Sequence, residues 1–148
     1  MRKLIPIIFG ICLVPASVAG GEKVAGPVAA EIIRVIDGDT ILVEATPWPQ
    51  QRVEVYVRIR GIDTPEIKSK CPAVRRAAEE ARLALDAMTA ASRHVLLTNI
   101  SGDKYFGRIV ADILFEDGRN PAHELMEGGL ATGYDGGHRP RIACTSND

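Results

Sequence analysis

Several things are missing from this chain of 148 residues, and each absence removes a class of function. There is no excess of positive charge: 18 Lys and Arg stand against 19 Asp and Glu, a formal charge of −1. That argues against a protein that coats nucleic acid stoichiometrically, because such proteins are strongly basic. It leaves open an enzyme that holds a polyanion briefly through a local patch and a metal. There is no low-complexity tract and no internal repeat, so neither a solenoid nor a biased linker is encoded. The apolar run at residues 4–14 falls short of the roughly 20 residues needed to span a bilayer. The cysteines lack the spacing of a zinc site, and the three histidines are scattered. The segment from His123 to Glu127 begins like a zinc-protease helix but has no second histidine, so that reading fails.

What is there begins with a leader. Arg2 and Lys3 precede the short apolar run, and small residues follow Pro15, with Ser17 and Ala19 in the −3 and −1 positions. This is the order of a secretory signal peptide cleaved after Ala19, with an uncleaved anchor as the competing reading. Residues 1–19 are therefore expected as signal peptide and 20–148 as one domain, periplasmic or secreted. Losing two basic and no acidic residues takes the formal charge from −1 to −3. Cys12 would leave with the leader, and Cys71 and Cys144 remain. In an oxidising compartment a disulfide is the default reading of that pair, and two free thiols the alternative.

The body reads as mainly β with some α. Residues 20–27 look like a frayed start. Two β-branched runs, about 31–36 and 41–45, flank Asp37-Gly38, a hairpin signal. Pro47 and Pro49 break the second run. Val53, Val55, Val57 and Ile59 then alternate with polar residues, which sets Arg58 and Arg60 on the outer face. Pro72 can open a helix whose Val74, Ala78, Ala81, Leu85 and Met88 form one apolar stripe, with Arg75/Glu79, Arg76/Glu80 and Arg82/Asp86 as pairs on the wet side. Strands at about 94–100 and 105–115 and a short helix at about 121–128 complete the pattern. Five strands with a helix between the third and fourth predict a five-stranded OB-fold barrel with a short C-terminal helix.

Three pieces carry chemistry. Asp37 and Asp39 sit at the first hairpin. Residues 58–66, Arg-Ile-Arg-Gly-Ile-Asp-Thr-Pro-Glu, join two arginines to Asp63, Thr64 and Glu66. Arg108 leaves the outer face of the fifth strand. Phosphodiester hydrolysis uses this mixture, cations for phosphate oxygens and carboxylates for a metal or a water. Taken singly, each piece also has an ordinary reading as a turn, a helix start or a surface residue.

Taken together, in order and at family spacing over residues 32–134, they resemble the staphylococcal nuclease (thermonuclease-like) family. Its hallmarks stand here as Val-Ile-Asp-Gly-Asp-Thr at 35–40, the nine residues at 58–66, Asp-Lys-Tyr-Phe-Gly-Arg at 103–108, and Gly-Gly-Leu-Ala at 128–131. The resemblance implies a Ca²⁺-dependent endonuclease, a monomer without a stable protein partner or membrane contact, hydrolysing single-stranded DNA and RNA to 3′-phosphorylated products. By position, Asp39, Asp63 and the Thr64 carbonyl would hold the ion, with Asp37 close by. Glu66 corresponds to the carboxylate that positions or deprotonates the attacking water, and Arg58 and Arg108 to the arginines that grip the phosphate. Arg60 is left as general electrostatic support.

Some residues depart from the pattern. The family's Tyr-Gly-Arg is one residue longer here, Tyr105-Phe106-Gly107-Arg108, which a bulge at Phe106-Gly107 would accommodate. Tyr105 and Tyr134 have no settled counterpart, and Trp48 could stack on a base or cover the barrel rim. The family's long final helix is missing, and a Cys71–Cys144 bond is expected in its place, tying the tail to the first helix. The rival reading is a non-catalytic binding module that keeps the fold. Retention of every carboxylate and arginine favours the enzyme.

Overall fold

The computed structural model describes residues 21–137 and Cys144; the expected leader lies outside them. Alternation of buried and exposed side chains curls five long strands into a closed barrel. These are β2 (Val28–Asp37), β3 (Thr40–Trp48), β4 (Gln51–Ile59), β6 (His94–Gly102) and β7 (Arg108–Phe115). β2 pairs antiparallel with β3 and β6, β3 with β4, and β6 with β7, while β7 closes the ring by running parallel to β4. The inward residues form the core: Ile32, Ile41, Val43, Val57, Ile59, Leu97, Ile113 and Phe115, capped by Leu85 and Leu125 from the helices. This is the mixed five-stranded barrel of an OB fold, with helix α1 (Pro72–Ala91) between its third and fourth strands and α2 (Pro121–Glu127) after the fifth.

The sequence expectations need four adjustments. The start is not frayed: β1 (Lys23–Val24) pairs with Ser101 and Ile100 of β6, adding a short edge. β3 continues to Trp48 through Pro47, because the register slips between Ala45 and Trp48 and no ladder N–H is asked of the proline. That leaves Trp48 largely exposed (61%) at the end of β3 remote from Asp39. β7 begins only at Arg108, residues 105–107 being a turn. On α1, Arg82 pairs with Glu79 at 2.6 Å rather than with Asp86, and Arg75 turns back to the carbonyls of Ser69 and Lys70.

α1 forms because Pro72 occupies its first turn, where no amide partner is needed, and alanine- and leucine-rich sequence follows. It buries Ala78, Ala81, Leu85 and Thr89 against the barrel. The β2–β3 hairpin closes at Asp37↔Thr40, and its Gly38 has no positive φ. The glycine is there for room. A Cβ at Gly38 would lie 2.7 Å from the Ala81 Cβ and 3.0 Å from the Thr64 side chain. This contact seats the hairpin on both α1 and the segment after β5 (Ile62–Asp63).

Two further ties shape the open end of the barrel. β5 pairs with β8 (Thr132–Gly133), and the Tyr134 amide donates to the Gly61 carbonyl at 2.9 Å. The Arg60 guanidinium donates to the Asn99 and Val110 carbonyls and the Ser101 hydroxyl, across the irregularity between Thr98 and Ser101. Arg60 is thus a clamp between strands rather than diffuse electrostatic support. Cys71, just before α1, is bonded to Cys144 with Cα atoms 5.6 Å apart, which ties the chain's tail to the first helix.

Two outcomes are expected. Gly38→Ala should lower unfolding stability by about 1–3 kcal/mol in urea, the usual cost of overpacking, whereas Gly21→Ala, which meets nothing within 4 Å, should leave the midpoint unchanged. Denatured but unreduced protein lacking residues 1–19 should show no free thiol with a disulfide-exchange reagent; two thiols per chain would contradict the bond.

Candidate active site

The barrel's register gathers the site. Thr40 lies opposite Arg58 in the β3–β4 ladder, which brings the hairpin carboxylates to the end of β4. In the parallel pair, Arg58 lies opposite Val110 and Tyr56 opposite Arg108. Arg58 and Arg108 therefore leave the same outer face, two residues apart along the strands and so offset by about 6–7 Å in that direction. An open cleft of about 1430 Å³ lies over this face, lined among others by Asp37, Asp39, Arg58, Thr64, Glu66 and Arg108. Asp63 joins them through its bond to Arg58. All seven residues singled out from sequence are thus brought to one place, from three separate segments.

Arg58 is the centre of the group. Its Nη1 donates to Asp39 Oδ1 at 3.0 Å, and its Nη2 to Asp63 Oδ1 at 2.7 Å and the Ile62 carbonyl at 3.3 Å. The Tyr134 ring lies 5.7 Å from its guanidinium carbon, held there by the β5–β8 pairing. Asp39 is buried and heavily used: Oδ1 also accepts the Thr40 hydroxyl at 2.9 Å, and Oδ2 accepts the Thr64 amide at 3.2 Å. Burial pushes the Asp39 carboxyl above its ordinary range; Arg58 pulls it back, and the Asp37 charge adds to the push. Burial works against the Arg58 cation too, but the charges of Asp39, Asp63 and Asp37 outweigh it and hold its pKa above the usual value. One guanidinium set among three carboxylates leaves the group rich in negative charge.

The oxygens gathered here are of the chemical kind that a hard divalent cation takes. Such ions take 6–8 oxygens at roughly 2.3–2.6 Å, mixing carboxylates, carbonyls and water. A carboxylate offers about four acceptor sites, and Asp39 commits three to Thr40, Arg58 and Thr64. Among the described residues, no group of three or more acidic, cysteine or histidine side chains is placed to hold a metal ion by itself. An ion here would rely on Asp39, Asp63, the Thr64 carbonyl and water, in an open site.

The second arm is Arg108. Its Nε donates to Asp103 Oδ2 at 2.6 Å, and its guanidinium carbon lies 4.6 Å from the Tyr105 ring centre. The extra residue of this segment is absorbed in a tight turn, where the Arg108 amide donates to the Tyr105 carbonyl at 3.3 Å and Gly107 has φ +81°. Burial tends to raise the Asp103 carboxyl, but the Arg108 hydrogen bond and charge, with the amides of Lys104 and Tyr105, hold it below the ordinary Asp value. The sequence reading assigned Asp103 no role; the available signal was an acid and an arginine flanking one glycine turn. Glu66 lines the cleft from the exposed turn after Pro65, with its carbonyl accepting the Ser69 amide at 3.1 Å. Lys68 and Lys104 add positive charge to the cleft wall. Trp48 is not among the lining residues.

Residues 56–144 match a family model described as staphylococcal nuclease homologue. Arg58, Asp63, Thr64, Glu66 and Arg108 fall inside that span, while Asp37 and Asp39 precede it. No curated protein matches the chain by sequence.

Because its folded pKa is depressed, the ionised Asp103 contributes stability that is present above the unfolded value, about 3.9, and is lost as pH falls through the lower folded value. Carboxyl-carbon NMR titration should therefore place the Asp103 midpoint below that reference. The Arg108→Ala variant should move it upward.

Proposed function

The chain belongs to the staphylococcal nuclease family, whose usual activity is phosphodiester hydrolysis, and from that premise we propose that it is an exported, Ca²⁺-dependent nuclease of single-stranded DNA and RNA. The observation that carries this reading is the meeting of Asp37, Asp39, Arg58, Asp63, Thr64, Glu66 and Arg108 around one open cleft. Export is supported by the leader-like residues 1–19 and by the Cys71–Cys144 bond, since structural disulfides persist in oxidising compartments.

Each residue has work to do in this mechanism. Arg58 presents a fork already oriented by Asp39 and Asp63, and Arg108 one oriented by Asp103 and Tyr105. Two planar guanidiniums on one face can share the non-bridging oxygens of a phosphodiester and favour the five-coordinate phosphorus over the ground state. Glu66, on the solvated lip of the cleft, accepts the proton of the attacking water. The 5′-oxygen leaves with a proton from solvent, and the chain ends in a 3′-phosphate. Asp39, Asp63 and the Thr64 carbonyl would hold Ca²⁺, which when bound polarises the phosphate as a Lewis acid.

Digestion of single-stranded DNA by the chain lacking residues 1–19 tests the proposal. Cleavage is expected with Ca²⁺ and none with chelator. Glu66→Ala should slow turnover about 10²–10⁴-fold, as loss of a general base does. Arg58→Lys, which keeps the charge and loses the fork, should cost about 10²–10³-fold. Equal cleavage in chelator would remove the metal from the mechanism, and binding without cleavage would leave a binding module only.

A further inference from the structure

Two limbs of chain that line the cleft are tied together at the same two points. Residues 63–71 carry Glu66 to the cleft, and residues 132–144 carry Tyr134, Asp135 and Gly136. At one end the limbs meet in the β5–β8 pairing, which is two residues long on each strand. At the other end they meet in the Cys71–Cys144 bond. Between these ties the first limb is thinly held: Glu66, Ile67, Lys68 and Lys70 are exposed. Its hydrogen bonds are short-range, the Ser69 amide to the Glu66 carbonyl at 3.1 Å and the Cys71 amide to the Ser69 hydroxyl at 3.2 Å. On the second limb the Tyr134 hydroxyl donates to the Gly137 carbonyl and the Gly137 amide to the Asp135 carboxylate, both at 3.0 Å.

The bond is also placed for exchange. Cys71 is the N-cap of the 20-residue α1, and no acidic residue stands in the first turn. Lys70 precedes it, and the Arg75 guanidinium reaches back to the Ser69 and Lys70 carbonyls. A helix N-terminus ringed by cations stabilises a departing thiolate, and a good leaving thiolate makes a disulfide easier to reduce. Cys71 is buried, whereas Cys144 is exposed and can be reached. The thiolate of an external dithiol attacks Cys144 Sγ, and Cys71 Sγ leaves with the electron pair of the broken S–S bond. The second thiol of the same reagent then displaces Cys144. Two electrons and two protons pass to the chain, and the reagent becomes a disulfide.

We propose that Cys71–Cys144 is a redox switch on the site. Oxidised, it holds the Glu66 limb in place and keeps Tyr134 over Arg58; reduced, it releases both limbs, and turnover falls. A chain in a reducing compartment is then idle until a disulfide-bearing oxidant takes the two electrons back. The proposal rests on the reaction assigned above to Glu66.

The test poises the chain lacking residues 1–19 in dithiothreitol of graded reduced-to-oxidised ratio, with the bond followed by alkylation and mass. On reduction, amide exchange at residues 64–71 and 132–136 should quicken by about tenfold or more, while buried Val43 and Val57 stay protected. Turnover of single-stranded DNA with Ca²⁺ should fall about 10²-fold, the scale of a misplaced catalytic group, and return on reoxidation. Cys71→Ser combined with Cys144→Ser should match the reduced chain and ignore the dithiol. Lys70→Glu, which sets a negative charge beside the helix end, should raise the ratio needed for half reduction about two- to fivefold. Limb amides unmoved by reduction, a rise shared equally by the core amides, or an unshifted midpoint in Lys70→Glu would overturn the proposal. An oxidised chain that cleaves nothing, with limbs that still loosen and re-form with the bond, sinks the nuclease reading and leaves the redox link standing. Equal cleavage in both states does the reverse.

Discussion

One guanidinium joins parts of this protein that are far apart in sequence. Arg58, at the end of β4, reaches Asp39 on the β2–β3 hairpin and Asp63 in β5, and Tyr134 packs against it from beyond α2. Without it, three carboxylates would face one another in a half-buried corner of the barrel. Removing one partner of such a buried pair is costly because the charge left behind has been taken out of water. Arg58 is therefore both a structural rivet and, in the proposed reaction, the residue that meets the phosphate. The two roles are compatible, because these bonds use three of the guanidinium's roughly five N–H donors.

The corner is not electrostatically relaxed. Burial and Asp37 both raise the cost of ionising Asp39, and Arg58 offsets only part of it. Active sites often hold such a local excess of charge, because the same excess attracts a cation from solvent. The cost is carried by the packing around it. Gly38 allows the hairpin to sit within van der Waals distance of Ala81 and Thr64, so the carboxylates ride on α1 rather than on a free loop. The Cys71–Cys144 bond anchors the start of that helix to the tail, and the Arg60 clamp secures the strands beneath.

On the other side of the cleft the chain uses a different device. Arg108 is held by Asp103 and by the face of Tyr105, all within one turn of six residues. A local turn can be lengthened by a residue without disturbing the barrel, because its two ends stay fixed by the β6–β7 ladder. Phe106 stands at the corner of that turn, and its exposure follows from the place it occupies.

Much of this was legible in the sequence. Alternation of side chains set the strands and the outward direction of Arg58 and Arg108, the apolar stripe set α1, and the motifs marked the seven residues that meet at the cleft. These are local signals: a period of two or of 3.6 residues, or a fixed spacing of a few. The tertiary structure alone decided what each charge touches. Arg60 became a clamp and Asp103 the holder of Arg108, Tyr134 was carried to Arg58 by β5–β8, and Gly38 proved necessary for its neighbours rather than its dihedral. Apart from the Asp103–Arg108 pair, which is local to one turn, those outcomes depend on strand register and barrel closure, which join residues tens of positions apart. No window of sequence contains that information, because it arises only when the fifth strand closes on the third.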